Sequence, residues 1–171
     1  MARLGRARAA ALAILWFTLL GAAPGRAAPL DAALQTQMLQ LYDRFNQAIA
    51  AGKVDDAVAL RSSEAKKAMR PYLATAAKRR ELAAILTEGI PDTIDVKHGS
   101  FAKDGKSASI LLLATKKAPA KMPKGGPPPG SVMTMEMTLN FVMEGGQWKL
   151  FGFYCLAASA GVFALHFVWH L

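Results

Sequence analysis

The spacing of apolar residues changes along this chain of 171 residues, and the change limits the folds that the chain can adopt. Up to residue 86, apolar residues recur at steps of three and four, which is typical of one face of an α-helix. From residue 94 onward, apolar and polar residues alternate, as they do in a β-strand with one buried face. Helices followed by an antiparallel meander predict an α+β domain, in which N-terminal helices pack on a four-stranded antiparallel sheet.

The helical half divides into four predicted helices. The first begins near Asp31, because a carboxylate favours a helix N-terminus, and it ends before Gly52. A short second helix covers residues 54–61. Pro71 is expected to break the third helix, so that the fourth covers residues 72–88. The buried face of the first helix is predicted to consist of Leu34, Met38, Leu41, Phe45 and Ile49.

The second half contains four predicted strands. Asp104 and Gly105 form a tight-turn signal between the first two strands. Prolines and glycines in residues 116–130 preclude regular structure before the third strand. The strands are predicted at 94–101, 107–116, 132–143 and 147–153.

Two apolar segments lie at the ends of the chain, and residues 28–154 between them form the predicted domain. Residues 1–27 combine arginines, an apolar stretch and the small residues Gly25 and Ala27, which predicts a secretory signal peptide cut after Ala27. Residues 155–171 form an apolar tail without Asp, Glu, Lys or Arg. As a helix, the tail would cover about 25 Å, against a hydrocarbon core of about 30 Å. Three interpretations stay open: a membrane helix, a helix docked on the domain, and a tail produced by a shifted reading frame.

The predicted mature chain is basic. Its formal net charge falls from +9 to +5, because four arginines leave with the signal peptide. This excess favours contact with anionic surfaces such as lipid headgroups or cell-envelope polymers. No nucleic-acid-binding motif accompanies it. The single cysteine, Cys155, excludes an intramolecular disulfide.

Two stretches of sequence resemble the NTF2-like, or cystatin-like, superfamily of bacterial domains. Residues 45–60, which begin Phe-Asn-Gln-Ala-Ile, are similar to the opening helices of such domains, and residues 143–150, with Gly-Gly-Gln-Trp-Lys, are similar to their final hairpin. The resemblance covers residues 30–154 and implies a helical layer wrapped by a curved sheet, which forms a cone with a pocket. The superfamily includes ketosteroid isomerase-like enzymes, dehydratases and non-catalytic binding or dimerisation modules, so the fold alone does not determine the function. The enzymes place an acid or base inside the cone, and none of their motifs matches this sequence.

Six residues are candidates for lining the pocket that the resemblance implies. Tyr42 or Tyr72 would supply the phenol, and Asp43 the carboxylate, that isomerase chemistry requires. Asp43, however, lies off the apolar face of the first helix. Alternating methionines are soft ligands that suit Cu(I). The methionines belong to the same alternating apolar series as Leu139, which favours a role in the hydrophobic core instead. The candidates are Tyr42, Tyr72, Met133, Met135, Met137 and Phe141.

A group of basic residues in the helical region is the candidate surface for an anionic partner, with a solvated helix face as the alternative. Its members are Lys66, Lys67, Arg70, Lys78, Arg79 and Arg80.

The favoured hypothesis is an exported, non-enzymatic module, located in the periplasm or at the inner membrane facing the periplasm. It would bind a protein partner or a small apolar ligand, and homodimerisation and membrane association through residues 155–171 are further expectations. No cofactor and no metal is assigned. The alternatives are an isomerase- or hydrolase-like enzyme with a polar group in the pocket, and Cu(I) binding by the methionines. A buried Asp, Glu or His in the cone would favour the enzyme, whereas an interior filled by Met and Leu would favour the module.

The signal-peptide prediction can be tested by N-terminal sequencing of the protein from an envelope fraction. We expect the mature chain to begin at Ala28, because Gly25 and Ala27 provide the small residues that a signal peptidase requires. A mature chain that begins at Met1 would contradict cleavage, and recovery of the protein from the cytoplasm would contradict export.

Overall fold

The computed structural model of the protein describes residues 28–120 and 126–156. The predicted signal peptide and residues 157–171 of the predicted tail lie outside these ranges. Four helices precede four strands in the described residues, which confirms the predicted α+β class. None of the described helices is both long and apolar enough to cross a membrane. The elements are α1 (Ala32–Ala50), α2 (Val54–Ala59), α3 (Ser63–Leu73), α4 (Ala76–Gly89), β1 (Thr93–Phe101), β2 (Ser107–Lys117), β3 (Val132–Glu144) and β4 (Gln147–Leu156).

Helix α1 begins and ends where its sequence predicts. The Asp31 carboxylate accepts a hydrogen bond from the Leu34 N–H at 2.8 Å, which satisfies one of the unpaired donors at the helix N-terminus. The helix ends before Gly52, whose positive φ of 70° lets the chain turn. Its buried residues are Met38, Leu41, Tyr42, Phe45 and Ile49.

The boundary between α3 and α4 differs from the prediction. Pro71 lies inside α3, which continues to Leu73, so Tyr72 belongs to α3 rather than to α4. A proline removes one backbone donor but keeps a helical φ, and here the helix ends within two residues of it. Helix α4 begins only after Thr75, whose hydroxyl accepts a hydrogen bond from the Lys78 N–H at 3.2 Å.

The four strands form one antiparallel sheet in the order β1-β2-β3-β4. The hairpin between β1 and β2 turns at Gly105, where φ is 63°. Asp104 accepts hydrogen bonds from the N–H groups of Lys106 and Ser107, which lower the pKa of its carboxyl group. Strand β4 continues to Leu156, so the first two residues of the predicted tail pair with β3.

One face of the sheet packs against α1. Alternating residues of β2 and β3 are fully buried there, including Ile110, Leu112 and Leu139. Phe153 of β4 lies edge-on to the rings of Tyr42 and Phe45, at centroid distances of 6.0 and 6.2 Å. Burial of these apolar side chains is the main source of stability in such a domain.

The loop between α2 and α3 fastens the helices to the last strand. The Leu150 N–H donates to the Leu60 carbonyl at 3.1 Å, and the Ser62 N–H donates to the Leu150 carbonyl at 3.0 Å. The carboxylate of Glu144, from the end of β3, accepts hydrogen bonds from the N–H and the hydroxyl of Ser63. An anion at the first residue of a helix also interacts favourably with the helix dipole. We call these contacts between residues 60–63 and residues 144–150 the loop–strand seam.

Replacing Glu144 by Ala tests the contribution of the seam to stability. We expect the free energy of unfolding to fall by about 1 kcal/mol, because α3 loses an acceptor at its N-terminus. The control is Glu136→Ala, which removes an exposed carboxylate from the same strand and should change stability by less than about 0.5 kcal/mol. Urea denaturation measures both variants, and equal effects would contradict the capping role of Glu144.

Candidate functional site

Three of the six predicted pocket residues lie together in the interior between α1 and the sheet. Tyr42, Met137 and Phe141 are each at most 1% exposed. The Tyr42 hydroxyl lies 3.7 Å from the Met137 sulfur, to which it donates a hydrogen bond. With Phe45, these side chains occupy the space in which the resemblance implies a pocket.

The other three predicted pocket residues lie farther out. Met133 and Met135 precede Met137 on the same face of β3, but both are only partly buried. Tyr72 is 42% exposed on α3. Asp43, on the neighbouring face of α1, is exposed. No cluster of three or more His, Cys, Asp or Glu side chains within residues 28–120 and 126–156 is arranged to hold a metal ion.

The predicted basic group is divided between two helices. Lys66, Lys67 and Arg70 lie on α3, and Lys78, Arg79 and Arg80 lie on the first turn and a half of α4. All except the partly buried Lys66 are exposed.

Arg79 has a structural role within that group. Its Nε donates to the Leu73 carbonyl at 2.9 Å, and its Nη1 lies 3.1 Å from the Asp55 carboxylate. These contacts join the end of α3 to α2. Since both charged side chains are largely exposed, the ion pair itself contributes little to stability.

A surface cleft of about 480 Å³ lies between the start of α2 and the start of α4. Arg79 and Asp55 neutralise one another inside it, which leaves the cations of Lys53 and Arg80 and the carboxylate of Asp56. In the described residues, neither Lys53 nor Arg80 has an acidic partner within 4.0 Å. The cleft therefore presents a net positive charge. Its lining residues are Gly52, Lys53, Val54, Asp55, Asp56, Arg79, Arg80 and Ala83.

A buried charge that the sequence pattern did not single out is Arg61, in the loop–strand seam. The residue is 4% exposed, and its Nη2 donates to the Phe151 carbonyl at 2.9 Å. Its guanidinium lies over the ring of Phe45, 5.6 Å from the centroid. Burial lowers the pKa of Arg61 to about 10, so the group is still protonated at neutral pH. The sequence places Arg61 at the end of the predicted second helix, but α2 ends at Ala59, and the pairing of the following loop with β4 accounts for the burial of Arg61.

No protein-family model and no curated protein sequence matches this chain. Similar solved structures include an NTF2-like protein of unknown function from Pseudomonas putida, which is 13% identical with a TM-score of 0.44 over 74% of this chain and 87% of that chain. An NTF2-like protein of unknown function from Shewanella oneidensis is 12% identical, with a TM-score of 0.42 over 71% of this chain and 98% of that chain. An epoxide hydrolase/cyclase-like enzyme of pyran ring formation in polyether salinomycin is 17% identical, with a TM-score of 0.38 over 68% and 91% of the two chains. The described domain itself consists of four helices followed by a four-stranded antiparallel sheet, which is the α+β architecture predicted from the sequence.

Replacing the methionines of β3 by leucine separates a core role from copper binding. We expect Met133→Leu and Met135→Leu to change the free energy of unfolding by less than about 1 kcal/mol, because the swap conserves volume. Met137→Leu should cost more, up to about 1.5 kcal/mol, because it also removes a hydrogen-bond acceptor of the Tyr42 hydroxyl. Thermal unfolding measures the series. A tight Cu(I) complex of the native protein that disappears in the triple variant would contradict the core role.

Proposed function

We propose that this protein is an exported, non-enzymatic binding module with an NTF2-like fold, which holds an acidic partner at the cell envelope. The partner would dock on the helical side of the domain. We name the docking surface the basic cleft and define it by Lys53, Arg79 and Arg80.

The packed interior supports binding at the surface. Tyr42, Phe45, Met137 and Phe141 fill the space between α1 and the sheet, and each is at most 1% exposed. A small apolar ligand would have to displace these side chains, and a close-packed core resists such a displacement. None of these side chains is the Asp, Glu or His that general acid–base catalysis most often employs.

The charges of the basic cleft support an acidic partner. Arg79 is held by Asp55 and by the end of α3, so it forms a fixed wall of the cleft. Lys53 and Arg80 make no ion pair with the described residues and remain available to carboxylates or phosphates. Asp56 at the same cleft would repel an anion placed beside it, which favours partners that direct their charge toward Lys53 and Arg80.

The observation that supports this function most strongly is the combination of a filled interior with two unpaired cations at a cleft. Export is supported by the signal-peptide pattern of residues 1–27, and envelope polymers and lipids are rich in anionic groups.

Charge reversal in the basic cleft tests the proposal. The variant Lys53→Glu with Arg80→Glu alters two exposed lining residues without touching the core. Chemical cross-linking in intact envelopes, followed by mass spectrometry, identifies the partner of the native protein. We expect the affinity for that partner to fall by about tenfold or more, because exposed ion pairs contribute ~0.2–1 kcal/mol each and reversal turns attraction into repulsion.

The matched control is Lys103→Glu with Lys106→Glu, which makes the same change in net charge at the β1–β2 hairpin. We expect this control variant to bind the partner with the affinity of the native protein. Equal loss of binding in both variants would mean that net charge alone drives the association, and unchanged binding in the cleft variant would contradict the proposed surface.

A further inference from the structure

A short segment before α1 pairs with β1, which lies at one edge of the described sheet. Pro29 forms an antiparallel bridge with Ser100. Beside this bridge, the Phe101 N–H donates a hydrogen bond to the Ala28 carbonyl at 2.8 Å. We call residues 28–30 the N-terminal strap. The strap covers backbone groups at the end of an edge strand, where unpaired groups would invite pairing with other chains.

Leu30 anchors the strap at the end that leads into α1. Its N–H donates to the Gly99 carbonyl at 3.0 Å, and its side chain, which is 9% exposed, belongs to the hydrophobic core. A Cβ atom added at Gly99 would lie 2.7 Å from Leu30 Cδ1 and 3.0 Å from Gln35 Oε1. Position 99 therefore accommodates the docked strap because glycine has no side chain there.

The sequence of the strap favours its docked conformation. The residue before a proline is restricted to extended backbone, so Pro29 favours an extended Ala28. Pro29 has no N–H to donate, and the hydrogen bonds of the strap use the Ala28 carbonyl and the Leu30 N–H instead. Asp31 follows at once and caps α1, so the strap is held between β1 and the first helix.

The strap begins at Ala28, the residue that the predicted cleavage after Ala27 makes the N-terminus. We propose that the docked strap blocks this cleavage, so that the signal peptide is removed only while residues 28–30 are detached from β1. A protease cuts a folded region through its transiently open state, and the population of that state limits the rate. Opening here breaks the hydrogen bonds of the strap to β1 and withdraws Leu30 from the core. The inference rests on the export that forms part of the proposed function.

Cell-free synthesis of the full precursor, with purified signal peptidase in detergent, tests the proposal. The peptidase is either present during synthesis or added after the chain has folded. We expect cleavage after Ala27 in the first case. In the second case cleavage should be slower by about tenfold or more, because the docked strap keeps the open population small. N-terminal sequencing of the product identifies the bond that is cut.

Matched glycine variants separate the strap from general effects of substitution. A Cβ atom added at Gly99 meets Leu30, whereas nothing lies within 4 Å of a Cβ atom added at Gly89. Both glycines are distant along the chain from the bond that is cut, so neither variant alters the sequence that the peptidase binds. We expect Gly99→Ala to speed cleavage of the folded precursor by about threefold or more, and Gly89→Ala to leave it unchanged. Leu30→Ala, which removes the anchor of the strap, should act in the same direction as Gly99→Ala.

Each contrary result has a separate meaning. Equal cleavage rates with both orders of addition would overturn the role of the strap and leave export standing. No cleavage in either order would overturn the role of the strap together with the predicted signal peptide. Equal effects of Gly99→Ala and Gly89→Ala, or no effect of Gly99→Ala and Leu30→Ala, would also overturn the proposal.

Discussion

The attachment of the α2–α3 loop to β4 is the constraint on which the rest of this structure depends. Among the described helices, α1 and α3 lie against β4, and the loop before α3 is hydrogen-bonded to it through its backbone. Hydrogen bonds in both directions between residues 60–62 and Leu150 determine where α3 starts. The carboxylate of Glu144, at the end of β3, accepts hydrogen bonds from the N–H and the hydroxyl of Ser63 at the N-terminus of α3. Helix orientation and strand register are thus fixed by the same few groups.

This arrangement separates an apolar interior from a charged exterior. The side chains of α1 and β3 meet without a described Asp, Glu or His between them, and the aromatic rings of Tyr42, Phe45 and Phe153 interlock edge to face. The charged residues of α2 and α4 are left at the surface, where they line the basic cleft. Arg61 is the exception, because the loop–strand seam draws a cation into the boundary between the two zones.

Local patterns were sufficient to predict the elements of this fold. The apolar face of α1, the Asp31 cap and the alternation along β3 depend on neighbouring residues, and all three agree with the structure. The end of α3 was misplaced because Pro71 stops a helix only within the following turn. The burial of Arg61 could not be predicted, since it depends on a strand 90 residues away. The cleft depends likewise on the packing of α2 beside α4, and no spacing in the sequence encodes it.

The loop–strand seam also determines the order in which the molecule can be completed. Arg61 and Phe151 are separated by 90 residues, and Ser63 and Glu144 by 81. Contacts so distant along the chain slow folding, because a large loop has to close before they form. The helices therefore lack their attachment until the last strand has been made. A chain that emerges N-terminus first therefore stays open along this seam until residues 144–151 have been made, and α3 has to wait for its sheet-side hydrogen bonds until then.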